Sequence, residues 1–151
     1  MNLRKKLVAS LVVAAMSVTA AFSAFAAAGD TKTVSFYTYD EDSEEFVASS
    51  HGSSCVSSCV EDADGNYTIE FLVIGRGSYV GYISNFDGDS VEYDELSLGA
   101  VSDPFTYVLN PTVDVDGDGV ADGAYIDFTV TMDNADAVAT HPYSNAVIVI
   151  E

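Results

Sequence analysis

Basic residues are scarce in this chain, which carries five Lys and Arg against 24 Asp and Glu in 151 residues. Three of the five, Arg4, Lys5 and Lys6, lie at the N-terminus, so only Lys32 and Arg76 follow it. From residue 29 onward, two basic residues stand against 24 acids, a net charge of −22. Nucleic acids and anionic membrane surfaces need a positively charged footprint, so we exclude both as partners. Repulsion of this size also favours bound cations, because they offset it.

Several residue types and patterns are missing or rare. Tryptophan is absent, and there are only two cysteines, two histidines and three prolines. No stretch after the N-terminal segment sustains the apolar spacing of three and four residues that is typical of a helix. The sequence also lacks G-x-S-x-G, H-E-x-x-H and a Gly-rich phosphate loop, and no Ser-His-Asp set can be assembled from it. We therefore expect that the protein is not an enzyme.

The N-terminal segment contains the one long apolar run. Basic residues precede an apolar stretch from Leu7 to Phe22, and small residues follow it up to Ala28. This order is typical of a secretory signal peptide, whereas a transmembrane anchor would have a longer run without a cleavage site. We expect residues 1–28 to be a signal peptide of an exported bacterial protein, secreted or held at the cell surface. Residues 29–151 then form a single domain.

The remaining chain consists of short β-rich stretches separated by turn signals. Residues Asp62 to Gly65, for example, have the composition of a hairpin turn between two of them. About eight such strands predict an all-β fold, an immunoglobulin-like antiparallel β-sandwich. The predicted strands are Val34–Tyr39, Val56–Glu61, Asn66–Ile74, Tyr79–Ser84, Val91–Leu98, Phe105–Leu109, Tyr125–Met132 and Ala146–Ile150.

Acidic residues alternate through residues 114–122 in the spacing of a calcium-binding loop. Gly119 stands where such loops turn sharply, but Tyr125 occupies the position of the usual bidentate acid, so Asp127 is the substitute from the following strand. We expect a structural Ca²⁺ here, and the alternative is an acidic hairpin tip without an ion. The candidate ligands are Asp114, Asp116, Asp118, the carbonyl of Val120, Asp122 and Asp127.

Both cysteines lie in a Ser-rich stretch, residues 49–59, which also contains His51. We predict a loop or a short helical turn there. In an oxidising compartment a lone cysteine pair is usually a disulfide, so we expect a Cys55–Cys59 bridge that stiffens the segment around His51. A metal-binding or redox-active dithiol is the alternative.

His51 and His141 are the only histidines, and histidine binds metals and heme iron. Taken alone, each is better explained as a surface or capping residue. The surrounding sequence, however, adds several short motifs: Ser50-His51, Cys55–Glu61, Asp64-Gly65, Tyr67–Ile74, Gly81-Tyr82-Ile83 and His141 ahead of Ala146–Ile150. In these motifs it resembles NEAT-type domains, the immunoglobulin-like modules with which Gram-positive bacteria take up heme. The resemblance is to streptococcal-type relatives, and the family's common Tyr-x3-Tyr is replaced by His141 and Asn145.

The resemblance implies heme capture or relay, with heme taken from solution or from a hemoprotein donor. His51 and His141 would ligate the iron from opposite faces, which leaves no open position for catalysis. The residues implied to line the heme slot are Tyr79, Tyr82 and Tyr143, with Ser53 and Ser54 at a propionate or at the entrance. The alternative is a calcium-stabilised extracellular structural or adhesive domain that binds no heme.

Overall fold

The computed structural model describes residues 29–151, and the predicted signal peptide, residues 1–28, lies outside the described residues. Within the described part, no helix has the length and apolar content needed to cross a membrane. One short helix, α1, spans Ser50–Ser54. The strands are β1 (Asp30–Thr31), β2 (Val34–Asp40), β3 (Glu45–Ala48), β4 (Val56–Glu61), β5 (Tyr67–Phe71), β6 (Ile74–Arg76), β7 (Tyr79–Phe86), β8 (Asp89–Ser90), β9 (Phe105–Tyr107), β10 (Gly123–Asp133) and β11 (Val138–Ile150).

The strands form two antiparallel sheets. The smaller has four strands in the order β1-β4-β5-β9, and the larger has seven, in the order β3-β2-β11-β10-β7-β6 with β8 paired to β7. Aromatic residues join the two sheets: the rings of Phe71 on β5 and Phe86 on β7 lie 5.1 Å apart. One buried cluster draws on both sheets. The predicted all-β sandwich is confirmed, and its immunoglobulin-like character stays a prediction.

Most predicted strands are present, and the turn at Asp62–Gly65 joins β4 to β5 as expected. The prediction of a strand at Val91–Leu98 is wrong. That segment has one isolated bridge, Tyr93 to Ser102, because its main chain bonds to several partners in turn and extends no ladder with any of them. The last strand begins at Val138, eight residues before its predicted start at Ala146, so His141 lies inside β11 and not ahead of it.

A β-bulge divides β11 into two parts. Tyr143 pairs with Phe128, and Ala146 pairs with Ile126, so Ser144 and Asn145 together lie opposite Asp127 alone. Asn145 adopts a positive φ of 56°. Such an extra residue shifts the alternation of side chains along the strand. As a result, Tyr143 and Ala146 both project from the inner face of the large sheet although they are three residues apart.

The outer face of the large sheet is partly covered by the segment that precedes β10. Val113 and Val115 of this segment pack on Val147 and Val149 of β11, and Tyr37 and Phe46 contribute to the same small cluster. The acidic loop at residues 114–122 is therefore held against the sheet by Val113, which precedes it, and by Val115 within it.

Candidate functional site

Helix α1 is attached to the end of the large sheet by serine side chains and backbone bonds. Ser49 caps the helix, since its Oγ accepts a hydrogen bond from the Gly52 N–H at 3.3 Å. The Ser49 N–H donates to the Phe36 carbonyl at 2.6 Å, and the Phe36 N–H donates to Ser53 Oγ at 3.1 Å. Both main-chain groups of Phe36 are thus satisfied by the helix at the point where β3 has ended. Of the two predicted alternatives, a loop and a short helical turn, the structure has the helical turn, at Ser50–Ser54.

Gly52 lets α1 approach the core closely. A Cβ atom at this position would lie 2.9 Å from two ring atoms of Phe128 and 3.1 Å from Phe36. Gly52 is buried, while its neighbour His51 is exposed at the side of the helix. The close contact fixes the height of His51 above the inner face of the large sheet.

His141 and Tyr143 project from that same inner face. His141 pairs with Val130, and Tyr143 pairs with Phe128. Residues that lie opposite each other in an antiparallel pair project to the same side of the sheet. The rings of Tyr143 and Phe128 stack, with centroids 4.6 Å apart and planes inclined by 10°. Because the Phe128 side chain is buried in the core, His141 and Tyr143 lie on the continuation of the core surface.

These elements enclose a cleft of about 180 Å³. It brings together His51 of α1 and His141 of β11, from opposite halves of the chain. Val130 and Met132 of β10 add apolar surface, and three of the lining residues (His51, Arg76 and His141) are exposed, so the cleft opens to solvent. The lining residues are His51, Arg76, Val130, Met132, His141 and Tyr143.

Arg76, at the end of β6, forms a hydrogen bond through Nη1 to Nε2 of His51. A guanidinium can only donate, so Nε2 of His51 is the acceptor and the ring proton of this tautomer lies on Nδ1. The other cation of the described part, Lys32, pairs with Glu61 at 2.9 Å on the small sheet. The hydrogen bond to Glu61 raises the pKa of Lys32, as expected for a paired ammonium group.

The other residues implied by the family resemblance lie outside the lining of this cleft. Ser53 binds the Phe36 N–H, and Ser54 bonds through its hydroxyl to the Ser50 carbonyl within the helix. Tyr79 pairs with Arg76 at the start of β7 and is exposed. Tyr82 pairs with Thr131 and packs edge-on against Tyr93, with centroids 5.9 Å apart. Burial and then the charge of Asp133 raise the pKa of Tyr82. Of the five predicted lining residues, the cleft contains Tyr143.

The predicted Cys55–Cys59 disulfide is wrong, since both thiols are free and buried. Cys55 ends α1, and Cys59 lies in β4, where it pairs with Ile69. The residues between them belong to β4, which has a register shift between Val56 and Ser58. The two cysteines lie in the same buried cluster without a bond between their thiols. Burial raises the pKa of each thiol to about 11.

The acidic loop brings three of its predicted ligands together. Ligand oxygens of Asp114, Asp116 and Asp118 lie within 4.8 Å of one another. Asp114 also orders the loop, accepting from the N–H groups of Gly117 at 2.7 Å and Gly119 at 2.8 Å. Both glycines have positive φ, 79° and 90°, which a side chain would disfavour.

The remaining predicted calcium ligands are engaged elsewhere or exposed. Asp122 Oδ1 accepts from the Val115 N–H at 3.0 Å, inside the loop but apart from the three converging carboxylates. Asp127 Oδ1 accepts from the Asn145 N–H at 2.8 Å, so it caps the bulge in β11. Val120 is exposed, and its N–H donates to Asp118 Oδ1 at 2.7 Å.

Val130 and Met132 are lining residues that reasoning from the sequence did not identify. The signal for them was present, since Phe128, Val130 and Met132 follow the two-residue period of an inward-facing strand surface. The sequence does not reveal that the small sheet and α1 leave the last part of this surface open.

Comparison with protein-family models, with curated proteins and with solved structures finds no match for this chain.

Proposed function

We propose that this protein binds heme in the cleft between α1 and the inner face of β10 and β11, with His51 and His141 as the two protein ligands of the iron. The observation that carries the proposal is that the chain's only two histidines line one cleft. Imidazole is a common protein ligand of heme iron, and two such rings can complete its coordination.

The rest of the lining fits the chemistry of the ligand. Heme is a flat apolar plate with carboxylates at one edge, and ligand sites typically combine apolar walls with few polar groups. Val130, Met132 and the ring of Tyr143 supply apolar surface, and Arg76 supplies a cation. The residue types at the cleft thus suit both parts of the ligand.

We also propose that the chain is a NEAT-type domain, as its sequence resemblance implies, and that its sandwich is immunoglobulin-like. A protein that fills both axial positions of the iron leaves none for oxygen or peroxide, which favours carriage or relay of heme over catalysis. With the N-terminal segment as a signal peptide, the protein works outside the cytoplasm and receives heme from solution or from a hemoprotein donor.

Titration with hemin, followed by visible spectroscopy, tests this proposal. We expect a sharp Soret band with low-spin features and a stoichiometry of one. His51→Ala and His141→Ala should each convert the spectrum to high spin, and the double variant should lose the band. Tyr79→Ala, an exposed residue outside the cleft, serves as the matched control and should bind like the wild type. A wild-type spectrum identical to that of free hemin would refute the proposal.

A second candidate function is that of a calcium-stabilised structural or adhesive β-domain. The observation that favours it is the convergence of Asp114, Asp116 and Asp118 in a loop with calcium-type spacing. This role is compatible with heme binding, because the loop lies on the outer face of the large sheet and the cleft lies on the inner face.

A further inference from the structure

Arg76 is the one residue of the cleft that forms a polar contact with a proposed ligand residue. We propose that Arg76 has two exchangeable partners: Nε2 of His51, and a carboxylate of the ligand once Nε2 binds a metal. This inference rests on the proposed function and adds to it a selection for porphyrins that carry free carboxylates.

Arg76 and a metal compete for one atom, Nε2 of His51. A single lone pair on Nε2 accepts the hydrogen bond from Arg76. The same lone pair is the one that an imidazole uses to bind a metal through this nitrogen. Arg76 and a metal therefore cannot hold Nε2 at the same time, and ligation through Nε2 releases the guanidinium.

The charge distribution of the protein favours Arg76 as the partner of an anionic ligand. From residue 29 onward the chain carries two basic residues against 24 acids, and an anionic ligand is repelled by most of the surface. Lys32 is already paired with Glu61. Among residues 29–151, Arg76 has no ion-pair partner, since the Lys32–Glu61 pair is the only salt bridge there. The cleft thus holds the one cation of the described part that is not neutralised by a carboxylate.

The position of Arg76 also suits a contact with a carboxylate. Arg76 ends β6, the edge strand of the large sheet, and its side chain is exposed at the rim of the cleft. A guanidinium presents donors in a planar fork that matches a carboxylate in two parallel hydrogen bonds. Release from His51 leaves this fork beside the ligand, where a carboxylate at the edge of a porphyrin can accept it.

The experiment compares two ligands that share the same macrocycle and iron: hemin, which has two free carboxylates, and its dimethyl ester, which has none. We expect wild-type protein to bind hemin at least tenfold more tightly than the ester. Arg76→Ala should remove this preference and speed association of the ester, because Nε2 is no longer occupied. Arg76→Gln, which keeps a neutral donor, should lose the preference but retain slow association of the ester.

A second readout uses protein without added porphyrin. Long-range ¹⁵N–¹H correlation spectra of the imidazoles should show His51 with its proton on Nδ1 in the wild type and in Arg76→Gln. In Arg76→Ala we expect a mixture of tautomers, while His141 should be unchanged in all three proteins.

The outcomes separate this inference from the proposed function. If hemin binds but Arg76→Ala leaves both the ligand preference and the His51 tautomer unchanged, the role of Arg76 is refuted and heme binding stands. If neither porphyrin binds the wild type, heme binding and the carboxylate contact both fall. If Arg76→Ala still changes the His51 tautomer in that case, only the hydrogen bond between Arg76 and His51 is supported.

Discussion

The carboxylate of Asp127 accepts a hydrogen bond from the Asn145 N–H at 2.8 Å, across the bulge that divides β11. Asn145 has a positive φ, which asparagine tolerates better than most residues. The bulge changes the phase of side-chain alternation, so His141 and Tyr143 face the inner surface together with Ala146 and Ile148. An exposed carboxylate within β10 thus bonds to the bulge that determines the orientation of a proposed heme ligand.

We predict that Asp127→Ala lowers the free energy of unfolding by about 1 kcal/mol, the value of an ordinary hydrogen bond. The variant should also bind hemin more weakly, because the orientation of His141 depends on the bulge. Denaturant titration and the hemin spectrum measure these effects. Asp127→Asn keeps an acceptor and is the control that should stay close to the wild type. Full hemin affinity in Asp127→Ala would show that the bulge is held by the backbone alone.

The close packing of Gly52 predicts a loss of stability on Gly52→Ala. An alanine in a helix interior gains up to about 1 kcal/mol over glycine. Its Cβ, however, would lie 2.9 Å from the Phe128 ring, and overpacking of this kind costs about 1–3 kcal/mol. The steric cost exceeds the gain, so we expect a net loss of about 1 kcal/mol and weaker hemin binding as His51 shifts.

Ser54→Ala provides the matched control for Gly52→Ala. Ser54 is exposed on the same helix, and its hydroxyl bonds only to the Ser50 carbonyl. Thermal and chemical denaturation should show a change within about 0.5 kcal/mol for this surface variant. A Gly52→Ala protein more stable than the wild type would mean that α1 can move away from Phe128 at little cost.

The buried thiols predict an alkaline loss of stability. Burial raises the pKa of Cys55 and Cys59 from 9.0 to about 11 in the folded protein. Between these values the unfolded chain releases the protons first, so the free energy of unfolding falls as pH rises. The stabilisation is fully present below pH 9 and declines from pH 9 toward 11. Burial raises the pKa of Tyr93 and Tyr107 as well, with the same sign.

Melting temperatures measured from pH 7.5 to 10.5 test this prediction. We expect little change up to about pH 8.5 and a decline above it. In the Cys55→Ala, Cys59→Ala double variant the decline should be shallower, whatever its stability at neutral pH. An equal slope in both proteins would assign the alkaline transition to the tyrosines. In addition, dithiothreitol should not change the melting temperature of the wild type, because no disulfide is present.

Calcium should raise the melting temperature if the acidic loop binds it. At a calcium concentration ten times Kd, the expected gain is about 1.4 kcal/mol, or roughly 4–6 °C for a domain of this size. Asp116→Ala should diminish the shift, since it removes one of the three converging carboxylates. Asp64→Ala, at the tip of the β4–β5 hairpin, removes an exposed acid elsewhere and should leave the shift intact. Millimolar Ca²⁺ without effect on the wild type would exclude the site.

Local sequence signals predicted much of the fold. Turn residues such as those at Asp62–Gly65 and the alternation in β2, β4 and β10 follow from local chemistry, and the strands occur where these signals predict them. The prediction of a strand at 91–98 fails because alternation of side chains alone does not provide a partner strand. The prediction of a disulfide fails because the spacing of two cysteines in the sequence does not reveal that the residues between them form a strand.

The candidate site was predictable only in part. The two histidines were identified from their rarity and their context, and the cleft that contains both depends on long-range pairing. In a regular strand, alternate side chains from Ile148 backward face inward, so Ser144 would face inward and His141 outward. The bulge at Ser144–Asn145 reverses this phase, and its signal, an Asn in a strand, is weak. The contact between Arg76 and His51 likewise joins two segments that no local pattern connects.

The central position of β11 has a consequence for how the protein matures. β11 lies in the interior of the large sheet, between β2 and β10, although it is the last strand in the order of residues 29–151. A chain that is made from its N-terminus can pair β4 with β5 early, but it cannot join β2 to β10 until β11 is complete. During synthesis, His51 and Arg76 are therefore present well before His141 arrives. The proposed heme cleft, which needs both histidines, is therefore complete only after β11 has paired with β10.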